Sequence, residues 1–168
     1  MFKITRESSE HIVEREKLLD KVFGVERKKL STYLLRDGVS AIDELSFVAL
    51  VNGKFRGSLR FWPVEINKSA KSLLLGPLAV DPKGQGKAIG VALVRKGIHS
   101  AKKLGYNLIV LVGDHDYYKR FGFEKADPLG LKLSGEYDNS RLLYLTIPRE
   151  LDIKISGYIR KYTKVFTK

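Results

Sequence analysis

The chain has 168 residues, 43% apolar and 30% charged, which suits one globular domain with a real core and argues against a disordered or fibrous chain. Lys and Arg number 31 against 19 Asp and Glu, a formal charge of +12, so the partners to consider are nucleic acid or a polyanionic small ligand, with simple surface solvation as the plain alternative. There is no cysteine, which excludes disulfides, thiolate metal sites and cysteine nucleophiles.

The first residues, MFKITRESSE, contain no apolar h-region, so no signal peptide is expected and a cytoplasmic location is the expectation. No run approaches the ~18 apolar residues of a membrane span. Phe2–Thr5 reads as a short strand. Ser8 and Ser9 then precede an apolar-periodic stretch with Ile12, Val13, Leu18, Leu19 and Val22, an N-cap followed by a helix. Glu26–Leu35 reads as a second short helix, stopped by Asp37-Gly38. Leu45–Val51 is a strand, and Asn52-Gly53 after it is a strong hairpin signal. Lys54–Ile66 returns, and Asn67–Lys71 is a polar loop. Ser72–Val80 is the next strand and Asp81–Gln85 a turn. Gly86 to Leu104 has helical period, with Leu93, Val94, Ile98, Ala101 and Leu104 on one face and Gly105 as its stop. Asn107–Val112 is a continuous apolar run, as in a strand covered on both sides. Asp114–Arg120 reads as one or two helical turns, Arg141–Ile147 as a strand and Tyr158–Phe166 as a candidate strand. This order predicts a single α/β domain over residues 1–168, with a mixed sheet.

The segment Leu73–Gly90, LLLGPLAVDPKGQGKAIG, joins a strand, a turn and a helix start. Such a junction aims backbone N–H groups at one spot and favours phosphate oxygens. Neither common nucleotide fingerprint is present: there is no G-x-x-x-x-G-K-[ST] and no G-x-G-x-x-G. Instead, Gln85-Gly86-Lys87-Ala88-Ile89-Gly90 resembles the Q/R-x-x-G-x-G/A signature of GNAT-type N-acetyltransferases. Leu78–Pro82 resembles the strand end before that signature, and Tyr117–Phe123, YYKRFGF, the element after the next strand. The resemblance covers about Phe47–Phe123 closely. It implies the family's α/β (α+β) fold, a mostly antiparallel mixed sheet flanked by helices.

The resemblance also implies acetyl-CoA as cosubstrate and an amine acceptor, on a small molecule or a protein. Backbone groups of Leu78, Ala79 and Val80 would pair with the pantetheine arm, with Gly76-Pro77 splaying the strand. Backbone N–H groups of Gln85, Gly86, Lys87, Ala88, Ile89 and Gly90 would hold the pyrophosphate. Tyr118 would be the general acid that protonates the departing thiolate and would lie close to the cofactor sulfur. A backbone N–H near Val80 would be the oxyanion donor. Ala88 stands where the family has glycine; inside the first helical turn, with helical φ, an alanine is compatible.

The charge pattern is independent of the resemblance. From Pro82 to Gly113 there are six basic residues (Lys83, Lys87, Arg95, Lys96, Lys102 and Lys103) and no acidic one. This suits a phosphate-rich ligand, with solvation of an outer helix face as the alternative for the last four. The general base is open among Asp43, Glu44, Glu65, Asp81, Asp114 and a chain of waters. His11, His99 and His115 have no ligand spacing, and no metal is expected. The acceptor pocket would come from Val22–Leu35 and Phe55–Ile66. Phe61 and Trp62 would line it or pack the core. The basic tail, with Tyr158, Tyr162 and Phe166, motivates an alternative reading as a nucleic-acid-binding module that keeps the fold. A monomer or homodimer is expected.

Overall fold

The computed structural model describes residues 1–66, 71–84, 88–148 and 155–163. The loop expected at Asn67–Lys71 lies outside them except for Lys71, as do Gln85, Gly86, Lys87 and Phe166. Ten strands and four α-helices are described. They are β1 (Phe2–Arg6), α1 (Ile12–Phe23), α2 (Ser31–Arg36), β2 (Ser46–Val51), β3 (Lys54–Glu65), β4 (Ser72–Val80), α3 (Ile89–Lys103) and β5 (Leu108–Val112). After these come α4 (His115–Tyr118), β6 (Glu124–Lys125), β7 (Leu131–Lys132), β8 (Leu142–Thr146), β9 (Gly157–Tyr158) and β10 (Arg160–Lys161). The main sheet has eight strands in the order β1-β2-β3-β4-β5-β8-β6, with β10 beside β3. The β4–β5 pair is its one parallel contact; the others are antiparallel. The mixed, mostly antiparallel sheet is the expected one.

The hairpin at Asn52-Gly53 forms with φ of 51° and 78°, the left-handed pair that a tight antiparallel turn requires. α3 covers one face of the sheet with Ile89, Leu93, Val94 and Ala101, packed on Phe47, Leu59, Phe61, Leu73 and Ile109. Burying each large apolar side chain there contributes about 1.5–3 kcal/mol. Gly97 lets α3 sit directly on the Phe61 ring, which a Cβ would strike. On the other face, Leu18 and Leu19 of α1 pack on Val48, Phe55 and Ala79. Further along that face, Leu35, Leu108, Val110, Leu131 and Ile159 form a second cluster. β5 is therefore covered on both sides, as its unbroken apolar run implies.

Three local expectations are corrected. The stripe on α1 is narrower than its period suggests: Ile12, Val13 and Val22 are exposed, and Arg15 takes an inward place beside Glu7. Glu26–Leu35 is not one helix. A 3₁₀ turn, Val25–Lys29, stops at Leu30, whose extended backbone (φ −70°, ψ 144°) separates it from α2. Within the described part of the tail, up to Thr163, there are two two-residue strands, β9 and β10, separated by Ile159, which is drawn into the core together with Ile155 before β9.

Candidate active site

The site begins with a fault in β4. Leu59 pairs with Leu78 and Phe61 with Leu75, so Gly76 and Pro77 together oppose Arg60 alone. The extra residue is a bulge, and it switches the side-chain alternation. Before it, Leu73 and Leu75 face α3; after it, Leu78 and Val80 do. Gly76 holds φ at 133°, a region that favours glycine, and its carbonyl accepts the Trp62 indole N–H at 2.6 Å. Pairing with β5 stops at Leu74–Val110. Beyond that point Leu78, Ala79 and Val80 are paired to β3 only, and their other edge has no strand beside it among the described residues. The splay expected at Gly76-Pro77 is present.

A cleft of about 210 Å³ fills the splay. Leu75 to Leu78 form one wall, and Leu111 to Asp114 with Tyr118 the other. Phe23, Arg27, Leu30, Thr32 and Arg36 close it from the α1–α2 side, and Arg141 from the end of β8. Of the two segments expected to build an acceptor pocket, Val22–Leu35 lines this cleft and Phe55–Ile66 does not. Phe61 is core, and Trp62 supports the wall through Gly76.

Tyr118 is placed by α4, whose N-cap is Asp114, accepting the Asp116 N–H at 3.0 Å. Its ring packs against Phe123 at 5.8 Å and edge-on to Tyr117 at 5.0 Å. A Cβ at Gly113 would lie 2.7 Å from the Tyr118 ring, so the glycine makes its room. Burial is the main influence on the phenol and pushes it far above its ordinary value; Tyr117 adds to the rise and Arg141 opposes it. Tyr118 is therefore a protonated donor at neutral pH. Tyr117 reaches elsewhere. A Cβ at Gly90 would meet its hydroxyl at 2.7 Å, which sets that hydroxyl over the first turn of α3. The Arg120 guanidinium lies 4.5 Å from the Tyr117 ring centre.

The first helical bond of α3 runs from the Ala92 N–H to the Ala88 carbonyl, so the N–H groups of Ile89, Gly90 and Val91 have no acceptor within the helix. Among the described residues no side chain caps them. They lie at the dipole-positive end of a 15-residue helix. The expectation for Ala88 is overturned. It precedes the helix and has a left-handed backbone, φ 58° and ψ 21°. The physical reason is Ile89. Its side chain packs against Gly57 and Gly84, where added Cβ atoms would lie 3.0 and 3.1 Å away, and the helix starts there, three residues after the expected Gly86. A non-glycine residue in this conformation costs about 1–2 kcal/mol.

The five carboxylates separate by position. Asp114 lines the cleft. Asp81 is engaged by Lys21 and Arg56 and by the Lys83 N–H at 2.9 Å, the largest of the influences that hold its carboxyl below the usual range. Glu65 borders a different cavity, of about 500 Å³, with Leu35 and Ile159, and accepts the Thr163 N–H. Asp43 and Glu44 form an exposed 3₁₀ turn before β2. His11 accepts the Ser8 N–H at 3.0 Å, His99 is exposed on α3, and His115 opens α4. Among the described residues no group of three His, Asp or Glu side chains could hold a metal. Lys83, Arg95, Lys96, Lys102 and Lys103 are all exposed.

The arginines on the cleft wall were not singled out by the sequence. Arg27 is held by Glu16 at 2.6 Å and Asp20 at 3.1 Å. Arg36 has aromatic contacts instead, with its guanidinium carbon 5.7 Å from the Tyr33 ring centre and 5.9 Å from that of Trp62. Burial above all, then the charges of Arg27 and Arg60, bring Arg36 down to about 10. Only the position of Arg36 beside the expected acceptor segment could have pointed to it.

A splayed β4, an uncapped α3 and a tyrosine across the gap form one unit, and comparison with known proteins gives that unit a class. The profile described as Acetyltransferase (GNAT) family matches residues 12–123, two thirds of the chain. The chain belongs to this family. It is 37% identical over 75 residues to YhbS, an uncharacterised N-acetyltransferase of Escherichia coli K12; the match spans 44% of this chain and 45% of YhbS, under half the length of that curated relative. The structure of E. coli YhbS in complex with CoA superposes with a TM-score of 0.79 at 26% identity, covering 96% of this chain and 89% of the other. A GNAT family acetyltransferase from Brucella melitensis in complex with acetyl-CoA shares the fold, with a TM-score of 0.68 at 24% identity over 96% of each chain. Among the described residues no helix is long and apolar enough to cross a membrane.

Proposed function

We propose that this chain transfers the acetyl group of acetyl-CoA to a primary amine by direct attack, in the cleft between β4 and β5. The observation that carries the reading is that the free edge of β4 and the Tyr118 ring border one cleft, with the uncapped end of α3 beside Val80. The residues fit the cosubstrate. Leu78, Ala79 and Val80 offer an edge for the amide-bearing pantetheine arm. The N–H groups of Ile89 and Gly90 offer donors for pyrophosphate oxygens, and Gln85, Gly86 and Lys87 complete that turn in sequence. The CoA complex of the YhbS relative supports the same use of the fold.

Acetyl-CoA supplies an activated thioester. The neutral amine attacks its carbonyl carbon, a C–N bond forms, and the oxyanion takes a backbone N–H near Val80. The C–S bond then breaks, and Tyr118 donates its proton to the sulfur. Burial that raises the phenol also raises the proton affinity of a thiolate leaving in the same enclosed space. The ammonium proton of the tetrahedral intermediate leaves through water or Asp114, the candidate carboxylate on the cleft wall, and a proton returned through water restores the Tyr118 phenol.

Calorimetric titration tests the reading. CoA and acetyl-CoA bind the wild type below ~1 mM, within the usual KM range. Gly90→Val weakens both, because its side chain displaces the Tyr117 hydroxyl into the α3 N-terminus. Absence of binding by either thioester or thiol at ~1 mM overturns it.

A further inference from the structure

We propose that the acceptor is a small amine that also carries a carboxylate, gripped by Arg36 with Arg141 beside it; the inference rests on the acetyl-transfer reading for the amine alone.

The arginines near the cleft are treated unequally. Arg15 and Arg60 converge on Glu7, and Arg27 is paired with Glu16 and Asp20. Among the described residues Arg36 has neither a carboxylate within ion-pair distance nor a hydrogen-bond acceptor. Tyr33 and Trp62 lie by its guanidinium, and Trp62 is itself fixed to Gly76 of the cleft wall. Aromatic contact of this kind can orient the plane of the fork while leaving N–H groups for a ligand. A half-buried cation with no carboxylate beside it is poorly solvated, and an arriving carboxylate supplies the two parallel hydrogen bonds it lacks.

The sign of the cleft agrees. Arg36 and Arg141 are cations on its wall with no ion pair among the described residues, against Asp114 as the carboxylate there. A polyamine or dicationic acceptor would meet net repulsion. Size agrees too. At about 210 Å³ the cleft is smaller than the ~300–1,000 Å³ typical of drug-sized ligands, and it must also receive the acetyl end of the donor. A small aminocarboxylate fits that space, with its amine toward Tyr118 and its carboxylate toward Arg36.

Alanine, alaninamide and ethylamine form a matched acceptor trio, with acetyl transfer read as thiol release at saturating acetyl-CoA. Alanine should exceed the other two at least tenfold in kcat/KM. Arg36→Gln should erase that preference through KM and leave CoA affinity unchanged, and Arg36→Lys should restore part of it. Propionate, titrated by NMR with and without saturating CoA, tests the subsite even where no member of the trio reacts. Its binding should weaken about tenfold or more in Arg36→Gln and several-fold in Arg141→Gln, where the exposed side chain poses no risk to folding. An unfolding midpoint that holds or rises in Arg36→Gln rules out loss by misfolding. Equal turnover of ethylamine or alaninamide, or propionate binding that is absent or unchanged in the variants, overturns the proposal. Failure of CoA to bind would instead strike the acetyl-transfer reading, with the propionate result standing separately.

Discussion

Trp62 has an arginine at two sides of its environment, and the two have opposite fates. The Arg60 guanidinium lies 5.7 Å from the indole centre and binds both oxygens of Glu7. The Arg36 guanidinium lies 5.9 Å from the same centre and binds no carboxylate among the described residues. Glu7 is nearly buried, at 8% exposure, and also takes Arg15 at 2.8 Å. Burial alone would raise its carboxyl, but the bonds and charges of Arg60 and Arg15 outweigh that and hold it below its ordinary value. The Glu7 group ties β1, α1 and β3 together. The Arg36 side holds nothing together and opens on the cleft. Cations that serve the fold come with their anions, and the cation without one marks where a ligand's anion would go.

Breaking the paired side should have the largest effect. Glu7→Gln leaves the buried Arg15 and the partly buried Arg60 guanidiniums short of charge and should destabilise by about 3 kcal/mol in urea unfolding. An unchanged midpoint would remove the pairing from the account. Its pH signature has a definite sign. A carboxyl held below its ordinary value of 4.5 stabilises above that value, and the contribution is lost as pH falls through the lower folded value. The acid limb of stability should therefore be steeper in the wild type than in Glu7→Gln. Next comes a pair of variants with opposite signs. Arg60→Met should lower the melting temperature, and Arg36→Met should raise or hold it, since it removes a half-buried charge with no carboxylate partner among the described residues. A matching fall in both would end the distinction. The smallest effect belongs to the strained entry into α3. Ala88→Gly relieves a positive φ and should add about 1 kcal/mol, or about 2–4 °C.

The elements of the proposed donor side were legible because strand, turn and helix are written in residue types. A strand end, a turn and a helix start can be read in order from Leu73 to Gly90, and Tyr118 follows in the short helix after the next strand. The same holds for Asn52-Gly53, where the turn demands left-handed backbone, and for β5, whose unbroken apolar run reflects cover on both faces. The acceptor side was not legible. Leu30 breaks the second helix through its backbone, which periodicity does not register. The splay at Gly76-Pro77 was expected, but the bulge that accompanies it depends on which β3 residue lies opposite, a non-local fact. Ala88 falls outside α3 because the helix starts at Ile89, whose packing on Gly57 and Gly84 is non-local and leaves no mark on local propensity. Arg36 looks like any surface arginine on a short amphipathic helix until Trp62 and the cleft are in place.

The steady-state rate of Tyr118→Phe at saturating acetyl-CoA is the most direct test of the central claim. Phenylalanine keeps the ring packed against Phe123 and Gly113 and removes only the proton. The account predicts a kcat lower by about 10²-fold or more, with CoA affinity and melting temperature unchanged. A kcat equal to that of the wild type would contradict it.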